Sequence, residues 1–189
     1  VPQVVIVGRP NVGKSSVFYW LAARTIAIVD DKPGITRDRL THLMCHDDRF
    51  FEVVDTGGMG FEDADNLTKH IEEQISIAIE SASVILFVVD TRTGLLPFDQ
   101  EVAKRLRTVD VPVICLANKT DDHTFDTSTE EFYRLGFSQP LKISTLQNRN
   151  RGVLLNQIVA KLPEPSSDGE DPGDEPVMKV AIVGRRNVG

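Results

Sequence analysis

The sequence predicts an α/β fold: a three-layer sandwich around a mostly parallel six-stranded sheet with one antiparallel edge strand. Three observations predict it. Short apolar runs of strand length alternate with amphipathic helical patterns along the chain. Three of those runs, residues 84–89, 113–116 and 141–143, are apolar apart from Lys142, the composition of parallel strands buried on both faces. Two others flank the pair Asp47-Asp48, a tight-turn signal that makes them an antiparallel hairpin.

Taken in order, residues 4–7 form a short buried-type strand that runs into Gly8. Residues 14–23 follow as a helix with Val17, Phe18 and Leu21 on one face. The hairpin comes next, from residues 40–46 and 50–54. Residues 67–79 place Ile71, Ile75 and Ile79 at i, i+4 and i+8, which predicts a helix whose buried face carries all three. After the strand at 84–89, residues 99–106 bring Val102, Ala103 and Leu106 together. After the strands at 113–116 and 141–143, residues 152–162 do the same with Leu154, Leu155, Ile158 and Leu162.

Length and composition bound the reading. The chain has 189 residues, 41% of them hydrophobic, enough for one domain with a proper core and a remnant of another. Its formal charge is −7, but residues 163–176 hold six acids, four prolines and no base. Without that segment 22 acids face 21 bases, so the acidity belongs to a disorder-prone linker. No basic surface of the nucleic-acid-binding kind is visible. No apolar run approaches the roughly 20 residues of a membrane span, and no signal-peptide pattern opens the chain. The two cysteines, Cys45 and Cys115, fall in strand-like runs and are read as buried thiols of a reduced, cytoplasmic protein.

After the linker the opening phrase returns. Residues 179–189 match residues 3–13 at eight of eleven positions, VGRRNVG standing where VGRPNVG stood. An offset of one domain length indicates a duplicated domain rather than a solenoid. The expected organisation is a first domain at 1–162, an acidic linker at 163–177, and at 178–189 the first strand and partial loop of a truncated second domain.

The chemistry begins at residues 8–15, GRPNVGKS, which fit G-x-x-x-x-G-K-[ST] between a strand and a helix. Gly8 and Gly13 let the backbone turn its N–H groups around phosphates, with Arg9, Pro10, Asn11, Val12 and Ser16 as the rest of the loop. The helix N-terminus faces the same anion. Lys14 can reach the β- and γ-phosphates, and Ser15 can ligate Mg2+. Asn118-Lys119-Thr120-Asp121 follows directly on a strand, where open α/β sheets bind ligands. The Asp121 carboxylate can accept from the guanine N1–H and 2-amino group, a donor pair that adenine lacks, so the ligand read is GTP or GDP. Asp55-Thr56-Gly57-Gly58 ends another strand: Asp55 can hold Mg2+, and Gly58 can offer its N–H to a γ-phosphate. Between the phosphate loop and Asp55, residues 30–38 read DDKPGITRD and supply Thr36, a hydroxyl that can complete the magnesium shell. Loops of this kind are ordered by the γ-phosphate and released on hydrolysis.

GRPNVGKS, PGITRD, DTGG and NKTD together look like a translation-factor-class GTPase with a P-loop NTPase fold. With the repeat after an acidic linker, the chain resembles the N-terminal GTPase domain of the bacterial double-GTPase family called Der or EngA. The resemblance implies slow GTP hydrolysis, a second GTPase domain in cis, and a role in assembling the large ribosomal subunit through its rRNA, with the contacting parts mostly beyond this stretch and no membrane involved. It implies that Ser144-Thr145, where members usually show Ser-Ala, contacts guanine O6 through backbone N–H. It also implies that Asn11 resembles the phosphate-loop asparagine of potassium-activated GTPases and is a candidate K+ ligand. Lys14, Thr36 and Gly58 are the expected catalytic groups.

Met59 stands where many small GTPases carry a water-orienting glutamine. A thioether cannot do that work, although Met59 reads equally well as loop packing. A different class of function is therefore a nucleotide-sensing interaction module with negligible hydrolysis. A P-loop kinase is disfavoured by Asp121. Arg9, Arg37 and Arg39 are read as surface residues, and Arg149-Asn150-Arg151 as a solvated turn. His42, Cys45 and His46 fall short of a four-ligand zinc cage.

Overall fold

The computed structural model describes residues 1–23, 40–56 and 67–164. Thr36, Gly57, Gly58, Met59, Arg37, Arg39, the linker beyond residue 164 and the repeat lie outside the described residues.

The element order is β1 (Gln3–Val7), α1 (Lys14–Ala22), β2 (Leu40–His46), β3 (Arg49–Asp55), α2 (Leu67–Ser81), β4 (Ala82–Asp90), α3 (Pro97–Leu106), β5 (Val113–Asn118), β6 (Leu141–Lys142) and α4 (Arg151–Lys161). Two 3-10 stretches, His123–Phe125 and Thr127–Leu135, lie between β5 and β6. The six strands form one sheet in the order β2-β3-β1-β4-β5-β6. β1 pairs in parallel with β3 and β4, β4 with β5, and β5 with β6, while β2 runs antiparallel to β3. The expected mixed sheet with an antiparallel edge is therefore the observed one. Asp47 and Asp48 carry the hairpin at φ 49° and 58°, the left-handed pair of a two-residue type I′ connection.

Strand alternation sorts the core onto two faces. Val4 and Ile6 of β1 point to a core closed by Val17, Phe18 and Leu21 of α1 and by Leu154, Leu155 and Ile158 of α4. Val5 and Val7 point the other way, to a core closed by Ile75, Ile77 and Ala78 of α2 and by Val102, Ala103 and Leu106 of α3. Each such apolar side chain taken out of water contributes about 1.5–3 kcal/mol for the larger residues. The central strands, buried on both faces, thus fix the helices that flank them.

Two expectations are corrected here. Ile79 is 53% exposed, and α2 instead buries Gln74, Ile75, Ile77 and Ala78. Eight residues on a helix advance about 80° past the starting direction, so an i, i+4, i+8 series leaves a face that mixed i+3 and i+4 steps keep. Cys45 is exposed, while Cys115 is buried and its thiol is pushed up to about 12, mainly by burial and secondarily by Asp99. Cys45 sits on the outward face of β2, between the inward-side positions of Met44 and half-buried His46. Alternation places Cys45 opposite His42 and His46, so these three do not converge.

No helix among the described residues is long and apolar enough to cross a membrane.

Candidate nucleotide site

β1 lies between β3 and β4, so the chain leaves it in opposite directions across the sheet. That reversal opens a crevice at the carboxyl ends of the strands. The described site residues sit there: the phosphate loop after β1, Asp55 at the end of β3, Asn118 at the end of β5, and Ser144 after β6.

The loop's backbone is built for close approach. Gly13 has φ 97°, and a Cβ there would meet Asn118 Nδ2 at 2.5 Å. Gly8 has φ 154°, and a Cβ there would meet the Val88 carbonyl oxygen at 2.5 Å. Asn11 takes φ 66°, and its side chain is exposed. Lys14 opens α1 with its ammonium folded back, donating to the carbonyls of Gly8 (2.8 Å) and Arg9 (3.0 Å). Its pKa is lowered to about 8 because burial disfavours the charge; Asp55 works against this and Arg9 adds to it. A lysine held over the mouth of a ring of backbone amides is placed to meet a polyphosphate.

Asp55 is fully buried, and Ser15 Oγ donates to its Oδ2 at 2.7 Å. A hydroxyl and a carboxylate in contact are hard oxygen donors of the kind Mg2+ takes. The pair fits the ion that the sequence anticipates. Thr56 Oγ donates to the Ile6 carbonyl at 2.6 Å, which locks the end of β3 to β1 beside the loop.

The segment Asn118–Asp121 is fastened to the phosphate loop. Asn118 Nδ2 donates to the Val12 carbonyl at 2.9 Å, while its Oδ1 is buried without a hydrogen-bond partner among the described residues. Lys119, at φ 63°, donates to the Asn11 carbonyl (2.9 Å) and to Asp90 Oδ2 (2.6 Å). Asp121 Oδ1 accepts from Ser144 Oγ at 2.6 Å, and Oδ2 accepts from Arg92 Nη2. The loops carrying Asp121 and Ser144 are thereby joined at the carboxylate. Thr145, next to it, is half-buried.

Several residues that brace this arrangement are not visible as such in the sequence. Asp90 ends β4 and takes Lys119 on one oxygen and the Arg92 amide (2.9 Å) on the other. A strand-end acid in VVDTRTG is the signal that identifies it, by the same rule that points to Asp55. Gln74 of α2 accepts from the Gly8 amide at 3.2 Å and has no partner for its Nε2 among the described residues. Arg9 is not a free surface residue: its Nε lies 3.3 Å from Oδ2 of fully buried Asp99. Asp99 also accepts from the Leu96 amide at 3.0 Å, satisfying the start of α3. Burial raises the Asp99 pKa, and the Leu96 amide and Arg9 pull it back only in part.

The solvated turn expected at residues 149–151 is also corrected. Arg149 donates to both oxygens of Asp126 at 2.8 and 3.0 Å, Asn150 to the Lys142 carbonyl at 2.8 Å, and Arg151 to the carbonyls of Trp20 and Leu21. The partners of Arg149 and Arg151 are 23 to 131 residues away, which is why local composition concealed them. A separate open groove of about 400 Å³, lined by Thr129, Glu130, Tyr133, Gln139, Pro140 and Lys142, lies away from the phosphate loop.

A glycine loop at the switch point, a lysine folded over it and a magnesium-type Ser–Asp pair, with a carboxylate held at a neighbouring strand end, define the class of P-loop GTPases. Within that class, the chain belongs to the family described as 50S ribosome-binding GTPase, which matches residues 3–119. It is similar to GTPase Der of Rhodopirellula baltica, 58% identical over 189 residues, which is all of this chain and 41% of that protein. The chain thus spans about two-fifths of the length of the curated relatives it matches. Among solved structures it resembles a variant of Aquifex aeolicus Era bound to GDP.AlF4-, with a TM-score of 0.67 and 27% identity over 86% of this chain and 57% of the other. It also resembles Era in complex with MgGDPNP and nucleotides 1506-1542 of 16S ribosomal RNA, at the same score and identity, over 94% of this chain and 59% of that one.

Proposed function

We propose that this chain is a GTP-binding and GTP-hydrolysing switch domain, converting GTP and water to GDP and phosphate, in a cytoplasmic protein that serves large-subunit assembly. The observation that carries the reading is Asp121: a carboxylate just past the carboxyl end of β5, oriented by Ser144 and tied through Lys119 and Asn118 to the phosphate loop. Family membership and the nucleotides bound by the Era structures support the same reading.

In this reading residues 1–162 are the working domain, 163–177 a linker, and 178–189 the start of a second GTPase domain in cis. Gly8 to Ser16 cradle the phosphates, Asn118, Lys119, Asp121, Ser144 and Thr145 take the base, and Thr56, Gly57 and Gly58 line the nucleotide, with the Gly58 N–H on the γ-phosphate. Ser15, Asp55 and Thr36 hold Mg2+, whose charge would stabilise the phosphate oxygens. An rRNA partner is supported by the RNA-bound Era relative, and the large subunit by the family description.

An arginine finger supplies roughly 10³–10⁵ in rate, about 4–7 kcal/mol. Arg9 is committed to Asp99 and does not serve as one. A K+ ion near Asn11 would place positive charge where such a finger acts. The test is phosphate release from GTP in equal K+ and Na+. Turnover several-fold faster in K+ is expected, and equal rates remove Asn11 as a potassium ligand. Failure to hydrolyse bound GTP in either salt favours the sensing module over the enzyme.

A further inference from the structure

We infer that Arg149 is the positioning residue for base recognition: its guanidinium holds the segment that carries Asp121 in register with the loop that carries Ser144, and so sets discrimination for the guanine 2-amino group. The inference rests on the guanine-nucleotide reading above.

Five contacts converge on this side chain, which is 18% exposed: two from Asp126, one each from the Thr120 and Asp122 carbonyls, and one from the His123 ring, whose Nδ1 lies 3.3 Å from Nη2. It forks onto Asp126, with Nη1 at 2.8 Å from Oδ1 and Nη2 at 3.0 Å from Oδ2. Nη1 also donates to the carbonyls of Thr120 (3.1 Å) and, more weakly, Asp122 (3.4 Å), which bracket Asp121. Its own backbone N–H donates to the Ser144 carbonyl at 2.9 Å, closing the loop that begins at Ser144. One residue thus grips the peptide entering Asp121, a carbonyl just beyond it, and the loop whose hydroxyl orients the Asp121 carboxylate.

The chemistry requires arginine. Its planar fork offers five N–H donors, enough for a bidentate carboxylate and a carbonyl at once; an ammonium has neither the plane nor the reach. A solitary surface ion pair contributes little. This one is anchored: the Asp126 carbonyl takes the Thr129 hydroxyl at 2.8 Å, seating the second 3-10 stretch. His123 and Lys142 also face Asp126, so its charge is surrounded by donors. Arg92 touches Asp121 from the exposed side and contacts none of these carbonyls among the described hydrogen bonds.

Reading guanine requires both carboxylate oxygens in the plane of the base, one for N1–H and one for the 2-amino group. If the Thr120 carbonyl is released, that plane can turn, and the second hydrogen bond weakens first. Inosine nucleotides keep N1–H and lack the 2-amino group, so the GDP/IDP affinity ratio isolates the effect.

Calorimetry with GDP and IDP on the whole chain, alongside thermal unfolding, tests this for wild type, Arg149→Met and Arg149→Lys. Wild type is expected to prefer GDP. In Arg149→Met the ratio falls about tenfold, the scale of one hydrogen bond to a charged acceptor, while IDP affinity stays within about threefold of wild type. Arg149→Lys falls between the two. An unchanged ratio in a folded Arg149→Met overturns the proposal, whatever happens to the melting temperature. If that variant does not fold, Arg149→Lys decides, and a wild-type ratio there overturns it. Wild type that binds neither nucleotide, or both equally, removes the premise of base reading and the proposal with it.

Discussion

Asp90 shows how much one buried side chain can organise. Burial alone would raise its pKa, but the Lys119 ammonium and the amides of Arg92 and Thr93 hold its carboxyl below the usual carboxylate range. A carboxyl lowered on folding contributes stability that is present above its unfolded value, near pH 4, and is lost as pH falls through the folded value. Wild type is therefore expected to be more stable than Asp90→Asn at neutral pH, with the gap closing in urea melts below about pH 4. A gap independent of pH would mean that the charge of Asp90 does not hold Lys119. Residues of this kind mark the limit of sequence reading. Gly8, Gly13, Lys14, Ser15, Asp55, Asn118 and Asp121 stand in patterns whose spacing is itself the chemistry, and the fold gathers the whole set at one end of the sheet. Arg9, Gln74, Arg92 and Arg149 act through partners 23 to 90 residues away. Nothing local distinguishes them from solvated polar groups.

At the scale of elements, the hairpin offers a clean test. Asp48 sits at φ 58° in the second left-handed position of the turn, where glycine has no Cβ to strain. Asp48→Gly is expected to raise stability by about 1 kcal/mol, read as a higher denaturant midpoint with unchanged slope. A lower midpoint would show that the Asp48 side chain is stabilising the turn. Elements are legible where period and burial agree. The apolar-rich strands and the stripes of α1, α3 and α4 are where the sequence puts them, within two residues at most ends. The stretch Thr127–Leu135 is not legible, because Thr129, Phe132 and Leu135 are buried at a spacing of three, the period of a 3-10 helix, and one of them is polar. In α2, a single isoleucine series conceals a stripe that includes Gln74, a glutamine no hydrophobic pattern would place inside.

For the molecule as a whole, strand order explains why scattered motifs become one site. β1 sits centrally with β3 and β4 on either side and β5 beyond β4, so the ends of these strands, with the loop after β6, deliver Gly8, Asp55, Asp90, Asn118 and Ser144 to the same edge. Ties between Asn118 and Val12, and between Lys119 and Asn11, make the loop after β1 and the segment Asn118–Asp121 one unit. The family match ends at residue 119, just inside the segment Asn118–Asp121, while the likeness to GTPase Der covers the whole chain. The most direct test is calorimetric titration of wild type and Asp121→Asn with GDP and XDP. Wild type should take GDP and refuse XDP, and the variant, whose amide can donate to the xanthine 2-carbonyl, should reverse that order. Wild type that ignores GDP, or a variant that keeps the original preference, would contradict the account.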